Sequence, residues 1–159
     1  VYDIRAASIR LVNTFGPRQL LRHNRQGFIG WFIRQILENS EIKLYGGGEQ
    51  IRDFNFIDDV VDAFLIAGAS EQADGNFYNL GGIEPVSLKN LVKMMIKVAG
   101  SGSFTEIPFP EERKKIDIGD FYSDYSKIKH ELGWQPKVSL QEGLEKTFTY
   151  YKKYKEHYF

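Results

Sequence analysis

Residues 46–63, reading Gly-Gly-Gly-Glu-Gln-Ile-Arg-Asp-Phe-Asn-Phe-Ile-Asp-Asp-Val-Val-Asp-Ala, constrain the fold more than any other stretch of the chain. They read as a glycine turn, a short strand over residues 52–57, and a helix opened by acids. A period of two along that strand puts Arg52, Phe54 and Phe56 on one face, and Ile51, Asp53, Asn55 and Ile57 on the other. An arginine sharing a face with two phenylalanines is partly desolvated and needs an anionic partner. Two partners fit. One is an internal carboxylate in a buried ion pair; the other is a phosphate, to which the planar donor fork of a guanidinium is well matched.

The rest of the chain mixes strands and helices, which makes the expected class α/β. Residues 4–15, with Ile9, Leu11 and Val12, read as a strand ended by Gly16-Pro17. Phe28, Ile29, Phe32, Ile33, Ile36 and Leu37 recur at helical spacing. A short strand over 42–45 leads into Gly46-Gly47-Gly48. A phosphate-cradling loop needs a helix N-terminus behind it, and here a second strand follows, so a hairpin turn is expected. Asp58 is placed to cap the next helix, with Val60, Val61, Phe64, Leu65 and Ala69 as its core stripe. A strand over 77–80 closes on Gly81-Gly82. Leu88, Leu91, Val92, Met95 and Ala99 mark a helix stopped at Gly100. Residues 104–108 look extended, 110–120 form a charged loop, and 124–132 a short helix. Ser139 and Glu142 form a capping box for a last helix through Leu140, Leu144, Phe148 and Tyr151.

At 159 residues the chain suits one domain with a sizeable core. Its 21 basic and 21 acidic residues cancel, so no global field steers it to nucleic acid or to an anionic membrane. The basic-aromatic stretches 18–25 and 150–158 then read as a solvated loop and a snorkelling helix. The absence of cysteine excludes disulfides and thiolate chemistry and fits a reducing cytoplasm. Scattered histidines offer no metal spacing, and Asp58, Asp59 and Asp62 suit a helix N-terminus better than a metal site. No apolar run is long enough to span a bilayer. Tyr-x-x-x-Lys occurs twice, at Tyr125 and Lys129 and at Tyr151 and Lys155. That spacing lets a lysine lower a tyrosine pKa, but neither pair follows a nicotinamide-binding pattern, so both read as chance. No catalytic residue is assigned.

Four segments, taken in order, resemble the extended short-chain dehydrogenases/reductases that act on nucleotide sugars as epimerases, 4,6-dehydratases and decarboxylases. They are Arg10-Leu-Val-Asn13-Thr-Phe-Gly16-Pro17-Arg18, Tyr45-Gly-Gly-Gly-Glu-Gln-Ile-Arg52-Asp53-Phe54, Asn79-Leu-Gly81, and Asp124-Tyr-Ser-Lys127 through Leu132-Gly-Trp134-Gln-Pro136 to Gly143. The resemblance implies late strands of a Rossmann-type sheet plus the small carboxy-terminal substrate domain. Residues 1–159 would then be the substrate-binding portion of a longer enzyme. An amino-terminal portion would carry the glycine fingerprint for NAD and the catalytic Tyr-x-x-x-Lys, and this portion alone is expected to be inactive.

The resemblance also implies roles. Asn13 would hydrogen-bond the diphosphate or sugar, and Tyr45 would lie against the nucleobase. Arg52 would bind the diphosphate, which moves the balance between its two partners towards phosphate. Arg113 and Asp120 would serve a second phosphate contact and a ribose hydroxyl, although Arg113-Lys-Lys-Ile-Asp-Ile-Gly-Asp120 is longer than the family's Arg-x-Gly-Asp, leaving Lys114 and Lys115 as substitutes. Leu11 and Val12 would contact the nicotinamide of NAD. The implied ligand is a nucleotide-diphosphate sugar and the implied assembly a homo-oligomer. Epimerase chemistry of the UDP-glucose 4-epimerase kind is favoured because it needs no extra acid/base pair. The alternative is a binding or regulatory protein that kept the fold and lost catalysis.

Overall fold

The computed structural model describes residues 4–23 and 27–159, the side chain of Arg113 excepted. The first half of the chain runs through β1 (Ser8–Arg10), β2 (Asn13–Phe15), α1 (Phe28–Leu37), β3 (Glu41–Tyr45), β4 (Ile51–Arg52), β5 (Phe54–Phe56) and α2 (Ile57–Ala69). The second half follows with β6 (Phe77–Asn79), β7 (Val86–Ser87), α3 (Leu88–Ala99), β8 (Ser103–Ile107), α4 (Glu111–Lys114), α5 (Ser126–Leu132) and α6 (Leu140–Tyr154). The class is α/β, as expected. Strands β1 and β6, β2 and β5, and β3 and β8 pair in parallel, whereas β4 and β7 pair antiparallel.

Two expected strands are each broken in two. The strand expected over 4–15 divides at Leu11-Val12, because Ser8–Arg10 pairs with β6 while Asn13–Phe15 pairs with β5. The strand expected over 52–57 divides at Asp53, with Arg52 paired to β7 and Phe54 onward paired to β2. Serving different partners forces the change of course. For the same reason Gly46–Gly48 is not a hairpin turn. The chain leaves β3, whose partner is β8, through a tight 3-10 turn at φ of 58°, 77° and 70°. That left-handed backbone favours glycine at each of the three positions.

Helices α1, α3 and α6 pack around the main core, in which Phe15, Leu21, Ile33, Leu44, Phe54, Leu91, Leu144 and Phe148 are buried. Each side chain of that size, fully buried, stabilises the fold by roughly 1.5–3 kcal/mol. Ser139 caps α6 as expected, its Oγ accepting from the Glu142 N–H at 3.2 Å. The Glu142 carboxylate turns to Lys146 at 2.9 Å. A smaller core joins α2, β6 and α5 through Val60, Ala63, Tyr78, Leu80, Ile128 and Trp134.

Helix α2 departs from its expected form. Its core face is Asp59, Val60, Ala63 and Ala67, while Val61, Phe64 and Leu65 are 47%, 52% and 66% exposed. Asp58 is not the cap; Phe56 holds that position and Asp58 lies in the first turn. The buried Asp59 accepts through Oδ2 from the N–H groups of Lys137 and Val138, and its carbonyl accepts from Trp134 Nε1 at 2.8 Å. The acids that open this helix tie it to the segment before α6.

Candidate functional site

The break at Asp53 builds the site. Asp53 is buried, and its Oδ2 accepts from the backbone N–H groups of Gly82 and Ser123, each at 3.1 Å. Its own carbonyl accepts from Asn13 Nδ2 at 3.0 Å. Asn55 adds a bond from Nδ2 to the Gly81 carbonyl at 2.8 Å. Such close approach requires two glycines: a Cβ on Gly81 would stand 2.7 Å from the Ser123 carbonyl oxygen, and one on Gly82 2.7 Å from that of Phe54. Two loops and the start of β2 are thereby fastened to one point beside Arg52.

Arg52 has a side chain only 12% exposed. Its Nη1 donates to the carbonyls of Ile51 and Gly119, and its Nη2 stands 3.9 Å from Asp117 Oδ1. The loop that brings Gly119 and Asp117 is clamped along β4. Asp120 Oδ1 accepts from the Ile51 N–H at 2.8 Å, and the Phe121 N–H donates to the Ile51 carbonyl at 3.0 Å. Of the two partners expected for the arginine, the internal carboxylate is present at the edge of ion-pair distance. The arginine has internal acceptors, and its only carboxylate contact among the described residues is loose for a charge-assisted hydrogen bond.

Arg52 and Asp117 lie on the wall of a cavity of about 560 Å³. Phe28, Trp31, Tyr45 and Phe109 supply its aromatic surface, and Gln35, Lys43 and Gln50 add polar groups. The rings of Tyr45 and Phe109 stand 5.8 Å apart, tilted by 47°. Flat apolar walls beside a partly desolvated cation suit a ligand with a planar ring at one end and an anion at the other.

Of the residues singled out from sequence, Tyr45 and Arg52 meet in this cavity. Asn13 and Asp120 are not among its lining residues: Asn13 is engaged with the Asp53 carbonyl, and Asp120 has one oxygen on the Ile51 amide. Arg113 falls within α4, and its side chain lies outside the described residues. Leu11, 48% exposed, and the half-buried Val12 sit at the junction of β1 and β2. Sequence reasoning missed Trp31, Phe109 and Asp117. Trp31 carried a usable signal: it lies three residues after Phe28 and four before Gln35, on the flank of the α1 core stripe.

The two Tyr-x-x-x-Lys pairs stand elsewhere. Tyr125 packs its ring edge against Trp134. Tyr151 is fully buried, its hydroxyl donating to the Gln19 carbonyl at 2.6 Å, and burial raises its pKa, the reverse of what a general base requires. A second hollow of about 420 Å³ opens beside Arg5, which already pairs with Glu71 at 3.4 Å and Asp74 at 3.2 Å. Among the described residues no group of histidines and acids is arranged to hold a metal, and no helix is long and apolar enough to cross a membrane.

Comparison with known proteins bears on this geometry. Residues 1–81 match the model of the NAD-dependent epimerase/dehydratase family. The chain is 35% identical over 98% of its length to UDP-glucuronic acid decarboxylase 1 of Xenopus tropicalis, covering 35% of that protein. It is 32% identical over 96% of its length to UDP-glucose 4-epimerase of Mycolicibacterium smegmatis, covering 47% of it. The crystal structure of UDP-glucose 4-epimerase from Thermotoga maritima with UDP-glucose superimposes with a TM-score of 0.84 at 32% identity, over 96% of this chain and 48% of that one. The chain therefore spans less than half the length of these relatives.

Proposed function

The chain belongs to the NAD-dependent epimerase/dehydratase family, and on that premise we propose that its 159 residues form the part of such an enzyme that grips the nucleotide diphosphate of a nucleotide sugar. The observation that carries this reading is the placement of Arg52, largely buried, on the wall of an aromatic cavity beside Tyr45. In that cavity Arg52 Nη2 would meet the diphosphate, and the Tyr45 and Trp31 rings would flank the base. Asn13, held by the Asp53 carbonyl, would need to turn its amide to reach the diphosphate or sugar.

NAD, when bound, supplies the hydride acceptor that converts a sugar alcohol to a ketone and returns it. This chain's fit to NAD is narrow. The exposed Leu11 and its neighbour Val12 offer an apolar contact to a nicotinamide ring and nothing for its phosphates. The main grip on NAD, and the tyrosine base, belong to an amino-terminal portion. Residues of this chain act through binding: fixing the diphosphate positions the reacting sugar carbon, and that orientation lowers the barrier. The same division makes the isolated chain a binder that does not turn substrate over. Epimerase chemistry remains the favoured outcome for the whole enzyme, working as a homo-oligomer in the cytoplasm.

Tryptophan fluorescence gives the test. Trp31 lies on the cavity wall, whereas Trp134 is buried beside Asp59. Adding UDP should quench a saturable part of the emission in the native chain and none in Trp31→Phe. Quenching that survives in Trp31→Phe, or no saturable change in the native chain, would contradict the assignment.

A further inference from the structure

This inference rests on the reading of the cavity as a nucleotide site and concerns the acid that faces Arg52. We propose that Asp117 stands in for a phosphate on Arg52 and is displaced when a nucleoside diphosphate binds, so that it sets how strongly the site discriminates by ligand charge.

The arginine is the fixed member of the pair. Its Nη1 spends both protons on the carbonyls of Ile51 and Gly119, which leaves Nη2 to meet an anion. Among the described residues the carboxylate oxygen that pairs with it is that of Asp117, at 3.9 Å. A charge-assisted N–H to carboxylate bond is about 2.7–2.9 Å long, so the two groups attract without closing a hydrogen bond. A cation that is 12% exposed is costly to leave without a counter-charge, and Asp117 supplies one at arm's length.

The acid is the movable member. Its backbone is held by the Asp117 N–H on the Lys114 carbonyl at 3.4 Å, by Gly119 on Arg52 and by Asp120 and Phe121 on Ile51, so the movement is one of the side chain. Its immediate neighbours give no apolar anchorage, since Ile116 and Ile118 are 79% and 69% exposed. Asp117 is an exposed residue whose side chain is 27% exposed and lines the cavity. It can therefore swing towards solvent without unfastening the loop from β4. A diphosphate carries more charge than a carboxylate and can close the shorter bond, so it takes the arginine. An uncharged nucleoside does not compete for it. The cost of displacing Asp117 falls only on ligands that use Arg52, as any equilibrium that must be reversed before binding reduces apparent affinity.

The test is equilibrium dialysis of UDP and of uridine against the native 159-residue chain, Asp117→Asn, Asp117→Ala and Arg52→Met, with circular dichroism to confirm folding of each. Both Asp117 variants should bind UDP about ten-fold tighter than the native chain, equivalent to about 1.4 kcal/mol, with uridine binding unchanged. If UDP binding is equal or weaker in both Asp117 variants while the native chain binds UDP in an Arg52-dependent way, the inference fails and the nucleotide reading stands. Weaker binding of both UDP and uridine would instead make Asp117 a ribose acceptor. If Arg52→Met binds UDP as well as the native chain does, or no protein binds it, the nucleotide reading fails and the inference with it.

Discussion

At the scale of the residue, Arg52 is both a tie within the fold and part of the cavity wall. It staples the loop at Gly119 through a backbone carbonyl, and it also lines the cavity, with its second guanidinium nitrogen 3.9 Å from Asp117. Replacement should therefore show in two measurements. Arg52→Met should weaken UDP binding by about 1.5–3 kcal/mol, the range for hydrogen bonds to charged groups. Arg52→Lys should recover only part of this, because an ammonium keeps the charge but not the fork. Loss of the contacts to Ile51 and Gly119 should also lower the melting temperature of Arg52→Met, by roughly 2–4 °C per kcal/mol in a chain of this size. Titration and melting of the same variants check both effects. A lowered melting temperature with unchanged affinity would leave Arg52 a structural residue alone. Asp117, by contrast, left no mark in the sequence, because its approach to Arg52 depends on Asp120 and Phe121 docking on Ile51 from almost seventy residues away.

At the scale of the element, what could be read from sequence was what local physics decides. Helix α1 follows its expected residues because Phe28, Ile29, Phe32, Ile33 and Ile36 carry a helical period, and α6 starts at Ser139 because a hydroxyl there satisfies an end amide. Strand pairing was not legible. Nothing local in residues 51–56 says that Arg52 joins β7 while Phe54 joins β2, and the face alternation expected of one strand dissolved at Asp53. Helix α2 shows a third case: its apolar residues were identified, but Val61, Phe64 and Leu65 meet no core. An apolar helix face open to water favours association. Leu65→Glu should accordingly reduce self-association in sedimentation velocity while changing stability by no more than about 0.5 kcal/mol, as expected of a surface position. A large loss of stability would mean that this face packs within the chain itself.

At the scale of the whole molecule, the fold divides labour between two cores. The larger one carries α1 and β3, which with Phe109 supply the aromatic walls of the cavity, and the smaller one ties α2 to α5 and to the segment leading into α6. The loop of residues 117–123 is fastened to β4 and to Asp53 between them, so the wall of the cavity that holds Arg52 and Asp117 is assembled within these 159 residues. If the proposed grip is real, the cavity alone should support it in this chain. The most direct measurement is calorimetric titration of this chain with UDP and, separately, with NAD. UDP should give a saturable one-to-one heat, and NAD none of comparable affinity. Tight binding of NAD with no binding of UDP would contradict the proposed grip.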